Sequence, residues 1–465
     1  MRMRTIGLVL LSLWIAPAAG PAADEKPEPL GLQDLLDLAL AHDGRIRAAH
    51  AKLGAVRARL DQARWAWFPK IEIEAGLGGP VGERKLACPD DPSCVQLESK
   101  DATGLGSLSE TVSVAVGGKI EAAMPIYTFG KIDAAQSAAK AGVDAGLADI
   151  DRIRQQVALE VRRAWYGWLV ANLAVEELER GVRKIDKTEK KLLEMLEELN
   201  ENVTDRDLFK LRYKAAQVRS LLVKARRGKR TARAALRFLT GLDDLGGGRP
   251  LSEFGLRKPA IDTIDRAVYL RQALQQRPEM IMLRAAVRAQ RAAVEAERAR
   301  FYPDIFLAGR FKGSYSPAHD YIDNSLLNRG LTYYTGGLTL GLKLGLDIPR
   351  KLGELEQAEA KLHRVELQLE QARAALGLEI DKRLEQLRAA RENARIMRRG
   401  QSSAKAWMRS NMMSYGVGIT NTKDLLDSVA ANAQARIERD RAIHDMLLAR
   451  DRLLATIGAD LGRVD

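Results

Sequence analysis

Apolar residues recur in steps of three and four along most of the stretch from residue 133 to residue 199. This spacing predicts a helix packed in a coiled coil, and its two successive steps of four form a stutter. Such a helix would extend on the order of 100 Å, which is too long for a compact globular domain. The chain also ends in heptad-like sequence, from Thr422 onward. The seam consists of Ile150, Ile153, Val157, Val161, Ala164, Trp168, Ala171, Val175, Leu178, Val182 and Ile185.

Four shorter segments alternate apolar and polar residues with a period of two, which predicts β-strands. Their polar faces carry full charges such as Glu74, Lys119 and Arg310. The half-buried sheet of a soluble sandwich would also alternate. Long apolar faces opposite charges, however, favour strands between lipid and a water-filled lumen. The apolar faces comprise Ile71, Ile73, Ala75 and Leu77; Val112, Val114, Val116, Gly118, Ile120, Ala122 and Met124; Ile305, Leu307 and Phe311; and Leu338, Leu340, Leu342, Leu344 and Leu346.

Aromatic residues and prolines mark the ends of the predicted strands. In two places a helix-like segment runs into two bulky residues, a proline and a strand: RWAWFPKI from residue 64 and RARFYPDI from residue 298. Proline is disfavoured within a helix and restricts the residue before it, while aromatic rings suit a lipid–water boundary. We therefore expect Pro69 and Pro303 at the crossings from helix to strand, and Pro125 and Pro349 near the return crossings from strand to helix.

The chain contains an internal repeat of about half its length. The segment that begins at Leu35 aligns without a gap on the segment that begins at Tyr269, and LEVRRAW at 159 corresponds to LEIDKRL at 378. A repeat of this length is far too long for a solenoid unit. We predict two homologous halves, residues 31–242 and 262–461, joined by a Gly/Pro-rich linker over residues 243–261.

Four strands cannot close a barrel by themselves. Open strand edges in lipid leave backbone groups unpaired, at a cost of several kcal/mol each. The chain must therefore oligomerise, with two copies giving about eight strands and three copies about twelve. The spacing of the strands does not choose between these, although a lumen that passes bulky solutes favours the wider barrel.

The charge balance gives no support for nucleic-acid binding. The chain has 74 Lys and Arg against 61 Asp and Glu, a formal net charge of +13. The basic residues alternate with acidic ones along helical stretches, which favours solvated helix faces over a nucleic-acid patch.

The N-terminus and the cysteines indicate export. MRMR followed by the short apolar run IGLVLLSLWIAPAA has the layout of a secretory signal peptide, which we assign to residues 1–23. Cys88 and Cys94 lie in a Pro/Asp-rich loop, so in an oxidising compartment a local disulfide is favoured. Two thiols without a nearby histidine make a poor metal site.

No catalytic motif emerges from the sequence. The five histidines are scattered, with no HExxH and no Cys/His cluster, and neither phosphate-binding glycine pattern is present. We therefore expect neither an enzyme nor a cofactor or metal site.

The duplicated plan of helix, hairpin and long helix resembles the TolC-type outer-membrane efflux proteins. The family motif of Pro, aliphatic, aromatic and Gly-basic appears as PIYTFGK at 125–131, whereas LDIPRKLGEL at 346–355 departs from it. The resemblance implies a mixed α and β membrane protein of a Gram-negative outer membrane. It implies a homotrimer with a long antiparallel coiled-coil barrel in the periplasm and four strands per copy in one transmembrane β-barrel. It also implies a periplasmic adaptor and an inner-membrane pump as partners.

The stretch YGVGITNTKDLLD, from Tyr415 to Asp427, resembles the family's signature at the periplasmic tip. By resemblance, Asp424 and Asp427 would form acidic rings that constrict the pore. The alternative is an ordinary helix start, whose acids favour the helix dipole. In the first half, NENVTDRDL is the matching tip, and Asp207 is the nearest acidic counterpart. The residues that the resemblance assigns to adaptor contact are Val417, Gly418, Ile419, Asn202 and Val203.

The leading hypothesis is thus a passive exit duct, and the alternative is a secreted or periplasmic coiled-coil structural or adhesion protein without a channel. Drug efflux, metal efflux and protein secretion are all compatible with the duct.

Overall fold

A computed structural model describes residues 30–81, 85–86, 97–98, 113–198, 204–242, 265–316, 332–416 and 422–463. Several predicted features lie outside these residues. They are the signal peptide (1–23), the linker (243–261), Cys88, Cys94, Asn202, Val203, Val417, Gly418 and Ile419.

The element order of the first half recurs in the second. Two short helices lead into a strand pair, and two long helices follow. The first half contains α1 (Leu32–His42), α2 (Gly44–Arg64), a 3₁₀ turn (Trp65–Trp67), β1 (Lys70–Val81), β2 (Lys85–Leu86), β3 (Leu97–Glu98), β4 (Ser113–Tyr127), α3 (Lys131–Glu197) and α4 (Asp205–Thr240). The second contains α5 (Arg266–Gln276), α6 (Pro278–Ala299), β5 (Asp304–Tyr315), β6 (Tyr333–Lys343), α7 (Ile348–Gly416) and α8 (Thr422–Ile457). Among the described helices, none carries an apolar stretch long enough to cross a membrane.

The predicted coiled-coil seam of α3 is confirmed, including its stutter. Val157 and Val161, which flank the step of four, are fully buried. The same step recurs in α7 between Leu376 and Ile380, at the matching place in the repeat. A stutter rotates the buried stripe around the helix. Here it turns each seam toward a third element, because α1 packs on α3 at this level and α5 packs on α7.

The helices pack side by side in a row. Nearer the strands the order is α2, α3, α6 and α7, and in the other half it is α4, α3, α8 and α7. The two ends of the row, α2 with α4 on one side and α7 on the other, each present an exposed face. Such a row is one segment of a larger curved wall.

A buried polar cluster joins the end of the second half to α3. The guanidinium of Arg162 donates to the carbonyl of Leu461 at 3.0 Å and also to that of Arg463. Its Nη1 lies 3.6 Å from the carboxylate of Asp451, a side chain with no solvent exposure. Burial raises the pKa of Asp451, and the charge of Arg162 offsets only part of that rise. The neighbouring phenol of Tyr166 is also buried, which raises its pKa to about 12.

The four prolines of the predicted crossings lie at or near the boundaries between helix and strand. Pro69 and Pro303 each lie directly before a strand, at the starts of β1 and β5, and Pro349 lies in the first turn of α7, where its missing N–H costs little. Pro125 lies near the end of β4, where the pairing with β5 shifts register between Pro125 and Tyr127. A proline has no N–H to donate to the ladder, so an irregularity is expected there.

The last strand, β6, is shorter than predicted. β6 ends at Lys343, so Leu344 and Leu346 fall outside it. The chain must turn here into α7, and the carbonyl of Gly345 accepts a hydrogen bond from Lys351 Nζ at 2.7 Å instead of a ladder partner.

A lysine in the first turn of each long helix that follows a strand pair fastens the return crossing. Lys131 Nζ binds Asp304 Oδ1 at 2.7 Å and the carbonyl of Tyr302 at 3.3 Å. Lys351 Nζ donates to the carbonyl of Arg300 at 2.7 Å as well as to that of Gly345. The second crossing thus keeps the basic residue of the motif although it lacks the aromatic one. Both lysines hold the same segment, the one that leads into β5.

We predict that Lys351→Met destabilises the protein by about 1–3 kcal/mol, because two partly buried carbonyls lose their donor. Lys361→Met, on the same helix but exposed, is the matched control. Urea unfolding followed by circular dichroism measures both. Equal effects of the two substitutions would contradict the anchoring role of Lys351.

A second prediction concerns Asp451. Because its folded pKa lies above the unfolded value of about 3.9, the folded state holds the proton more tightly, and this stabilisation is lost as pH rises through the folded pKa. The Tm of the native protein minus that of Asp451→Asn should therefore fall as pH increases from about 4 to 7. A difference that rises with pH would show that ion pairing outweighs burial, and a constant difference would show that the two effects cancel; either result would contradict the prediction.

Candidate functional site: a two-faced sheet and a helical tip

The four longer strands form one antiparallel sheet in the order β1-β4-β5-β6. Its register aligns the predicted apolar faces across all four strands. Ile73 lies opposite Ile120, which lies opposite Phe311 on the next strand. Leu340 and Leu307 form another such pair. This apolar face is exposed in the single chain, where the side chains of Ile73 and Leu338 are 72% and 80% exposed. An apolar environment such as lipid would bury it.

The opposite face carries a network of paired charges. Lys119 Nζ lies 3.1 Å from Glu74 and 3.9 Å from Glu121. Arg310 Nε reaches Glu121 from the next strand at 2.8 Å. Lys312 lies directly opposite Lys119 in the register and extends the charged row. The face is thus hydrophilic but nearly balanced in charge, which suits the wall of a water-filled passage.

Both edges of the sheet are open within the described residues, since β1 pairs only with β4 and β6 only with β5. Each edge strand therefore presents a row of backbone N–H and C=O groups. These groups form a template for another strand.

Aromatic residues border the sheet at its helix-side end. The indoles of Trp65 and Trp67 stack 5.8 Å apart, and the ring of Phe68 meets both of them edge-on. Across the sheet, Phe129 lies between Tyr127 at 4.6 Å and Tyr302 at 5.3 Å. Phe129 has φ of 50° and Gly130 has φ of 90°. This left-handed pair turns the chain sharply from β4 into α3 and places the ring on its neighbours.

The predicted gate residues of the second half lie at the far end of the helices. Tyr415 is near the end of α7, and Asp424 and Asp427 lie in the first two turns of α8. Asn411 Nδ2 donates to the carbonyl of Asp424 at 2.9 Å, which ties α7 to the start of α8. Asp427 is half-buried and lines a groove that also contains Lys210 of α4. The structure thus brings Asp427 next to the first half.

Asp207 has a different local role. Thr204 Oγ1 donates to its carboxylate at 2.8 Å, and together they cap the start of α4. These hydrogen bonds lower the pKa of Asp207. Lys210 Nζ lies 3.7 Å away on the next turn. The contacts are those of a helix cap, so a gate role for Asp207 stays a prediction.

The ion pair that joins the two long hairpins was not predicted from the sequence. Glu177 of α3 binds Arg436 of α8 at 2.9 Å and Arg180 on its own helix at the same distance. The pairing with Arg180 follows from the i, i+3 spacing. The partner 259 residues away leaves no signal in local periodicity. In the described part of the chain, no three His, Cys, Asp or Glu residues gather as a metal site.

Known proteins resemble this chain in sequence and in fold. The model of the family described as outer membrane efflux protein matches residues 35–242 and 269–459. Protein CyaE of Bordetella pertussis is 25% identical over 469 residues, which cover 96% of this chain and 88% of CyaE.

Solved structures agree over nearly the whole chain. CusC, studied for folding and transmembrane channel formation, has a TM-score of 0.73 at 16% identity, covering 95% of this chain and 99% of CusC. The open state of the Neisseria gonorrhoeae MtrE outer membrane channel has a TM-score of 0.71 at 17% identity, covering 95% and 94%. At these identities the likeness establishes the fold, and the predicted long helices with a four-stranded sheet are confirmed. Because the family model spans most of both halves, the chain belongs to the outer membrane efflux protein family.

Proposed function

We propose that three copies of this protein assemble into a passive duct that receives cargo from an inner-membrane pump through a periplasmic adaptor. Because the chain belongs to the outer membrane efflux protein family, it is an exit channel for efflux or type I secretion. The channel lies in the outer membrane, and its helices lie in the periplasm. The number of copies, the passive mechanism and the partners are our proposal. The open, two-faced sheet is the observation that carries it.

The sheet supports assembly through its edges. An unpaired backbone group in lipid costs several kcal/mol, so the free edge of β6 must find a strand. The free edge of β1 in a second copy offers one. Repeated around an axis, this head-to-tail contact closes a ring. The apolar face of the sheet would then meet lipid, and the charged face would line the passage.

The exposed face of α4 supports assembly side by side. Its buried seam on α3 includes Leu208, Leu211 and Leu222, while Phe209, Tyr213 and Val223 form a second stripe, each 65% exposed. At 100° per residue, the two stripes lie about 130° apart. The second stripe is therefore available to a helix of a neighbouring copy. Three copies give about twelve strands, the wider barrel that a lumen for bulky solutes favours.

The charged face suits passive conduction. Its carboxylates and cations neutralise one another across the strands, so neither sign of solute meets a strong barrier. A wide, hydrated wall of this kind conducts without a chemical step of its own. We therefore propose that energy for transport comes from the pump and that this protein hydrolyses nothing.

The tip is the proposed point of regulation and contact. Asp424 and Asp427 of three copies would gather six carboxylates around the axis, which would favour cations. Val417, Gly418 and Ile419 follow α7, and Asn202 and Val203 precede α4. We propose that these two segments meet the adaptor.

The double reversal Asp424→Lys/Asp427→Lys tests the gate and the duct together. We expect the unmodified protein to conduct in planar bilayers with a preference for cations. The variant should lose or invert that preference, because positive side chains replace the carboxylates at the constriction. Reversal potentials in a KCl gradient measure this.

The control is Glu438→Lys/Asp445→Lys, an equal change of charge on exposed residues farther along α8. The gate assignment is wrong if both double variants behave alike. The duct itself is wrong if the unmodified protein forms no conductance.

A further inference from the structure

A long groove separates the two helical hairpins in the tip half. It has a volume of about 660 Å³ and is lined by α3, α4 and α8, with Met412 of α7 at one end. It begins at the level of the Glu177–Arg436 ion pair. The last core cluster shared by the hairpins, formed by Val175, Leu178, Leu222 and Ile437, lies at the same level. Beyond this point the groove lies between α3 and α8.

The floor of the groove is apolar. Side chains from all three helices contribute, and on α8 they are only half-buried, so the groove leaves apolar surface open to water. The floor includes Leu178, Ile185, Leu211, Val218, Leu425 and Val429. Open apolar surface in a long groove between helices is the surface that an amphipathic helix occupies in helix-in-groove recognition.

The rim of the groove is positively charged. Lys184, Lys187 and Lys191 of α3 and Lys214 of α4 line it. All four are exposed, and none forms an ion pair with another described residue. Of the two acids in the lining, Glu177 is engaged by Arg436 and Arg180, which leaves Asp427 against four lysines. The groove therefore carries a positive charge that its described surroundings do not neutralise.

The spacing of the lysines selects a helix over a small molecule. Lys184, Lys187 and Lys191 follow one another by three and four residues, so they form a row about 10 Å long on one side of α3. From Glu177 to Lys191 the groove extends about 21 Å. Acidic side chains at the same steps of three and four on a second helix would match this row. A compact ligand would meet one or two of the lysines.

We propose that Lys184, Lys187 and Lys191 select the partner helix of this groove by charge, and that they favour a helix whose apolar stripe is flanked by acidic residues spaced three and four apart. The inference rests on the proposed function, since it describes the chemistry of a partner that engages the periplasmic half of the duct. The inference does not depend on the adaptor contacts proposed for residues 202–203 and 417–419. It adds a charge rule: the partner helix must be acidic where it crosses α3.

The test uses the full-length protein in nanodiscs of zwitterionic lipid and two fluorescent helical peptides. Both peptides carry the same leucine stripe, flanked in one by glutamates at steps of three and four, and in the other by lysines. Fluorescence anisotropy should show the glutamate peptide binding about tenfold more tightly, the combined effect of three or four exposed ion pairs. The preference should weaken with salt.

The variant Lys184→Glu/Lys187→Glu/Lys191→Glu should reverse the preference between the peptides, and Lys184→Gln/Lys187→Gln/Lys191→Gln should abolish it. Lys140→Glu/Arg154→Glu/Arg163→Glu makes an equal change of charge on exposed residues of α3 outside the groove, and it should leave the preference intact.

Equal binding of the two peptides to the unmodified protein would overturn the proposal. So would a preference that the control variant removes as fully as the groove variants do. Bilayer conductance of the same samples distinguishes failure of this inference from failure of the proposed function. A protein that conducts but shows no peptide preference refutes charge selection at the groove and is consistent with the duct. A protein that does not conduct refutes the proposed function.

Discussion

The open edges of the four-stranded sheet constrain everything else in this protein. One face of the sheet is continuously apolar and the other is charged, so the sheet belongs between lipid and water. In that setting the unpaired backbone of β1 and β6 is too costly to remain exposed. Pairing between copies satisfies those groups, and it fixes the helices that follow each strand into a common ring. The exposed stripe on α4 and the exposed faces of α7 are then contacts within that ring.

The connection between sheet and helices depends on polar contacts from both halves of the chain. Lys131 and Lys351 lie in the first turns of α3 and α7, and both bind the segment that leads into β5. One binds Asp304, and the other replaces missing backbone donors at the turn after β6. This arrangement explains how the second half retains a tight crossing although its motif lacks the aromatic residue. Farther along α3, Arg162 fastens the segment after α8, so each half of the repeat is tied to the other.

Local periodicity was enough to predict the long seam of α3, its stutter and the faces of the four strands. Each of these features is encoded in neighbouring residues. Other contacts join distant parts of the chain, and no local pattern in the sequence predicts them. They are the contacts of Lys351 with Arg300, of Arg162 with Leu461 and of Glu177 with Arg436. Leu344 and Leu346 were misassigned to β6 because they continue its alternation beyond Lys343. At the tip, the sequence suggested Asp424 and Asp427, but the cap formed by Asp207 and the lysine-lined groove emerged only from the folded chain. Family membership removes the alternative of a secreted structural or adhesion protein.

The number of chains in the complex measures most directly whether copies of this protein close one sheet. Native mass spectrometry of the full-length protein, released from detergent micelles under gentle activation, counts them. We predict a single complex of three chains, which gives twelve strands and twelve long helices in the tip half. A stable monomer would contradict the closure of the sheet, and a complex of two chains would contradict the wider, twelve-stranded barrel that we propose.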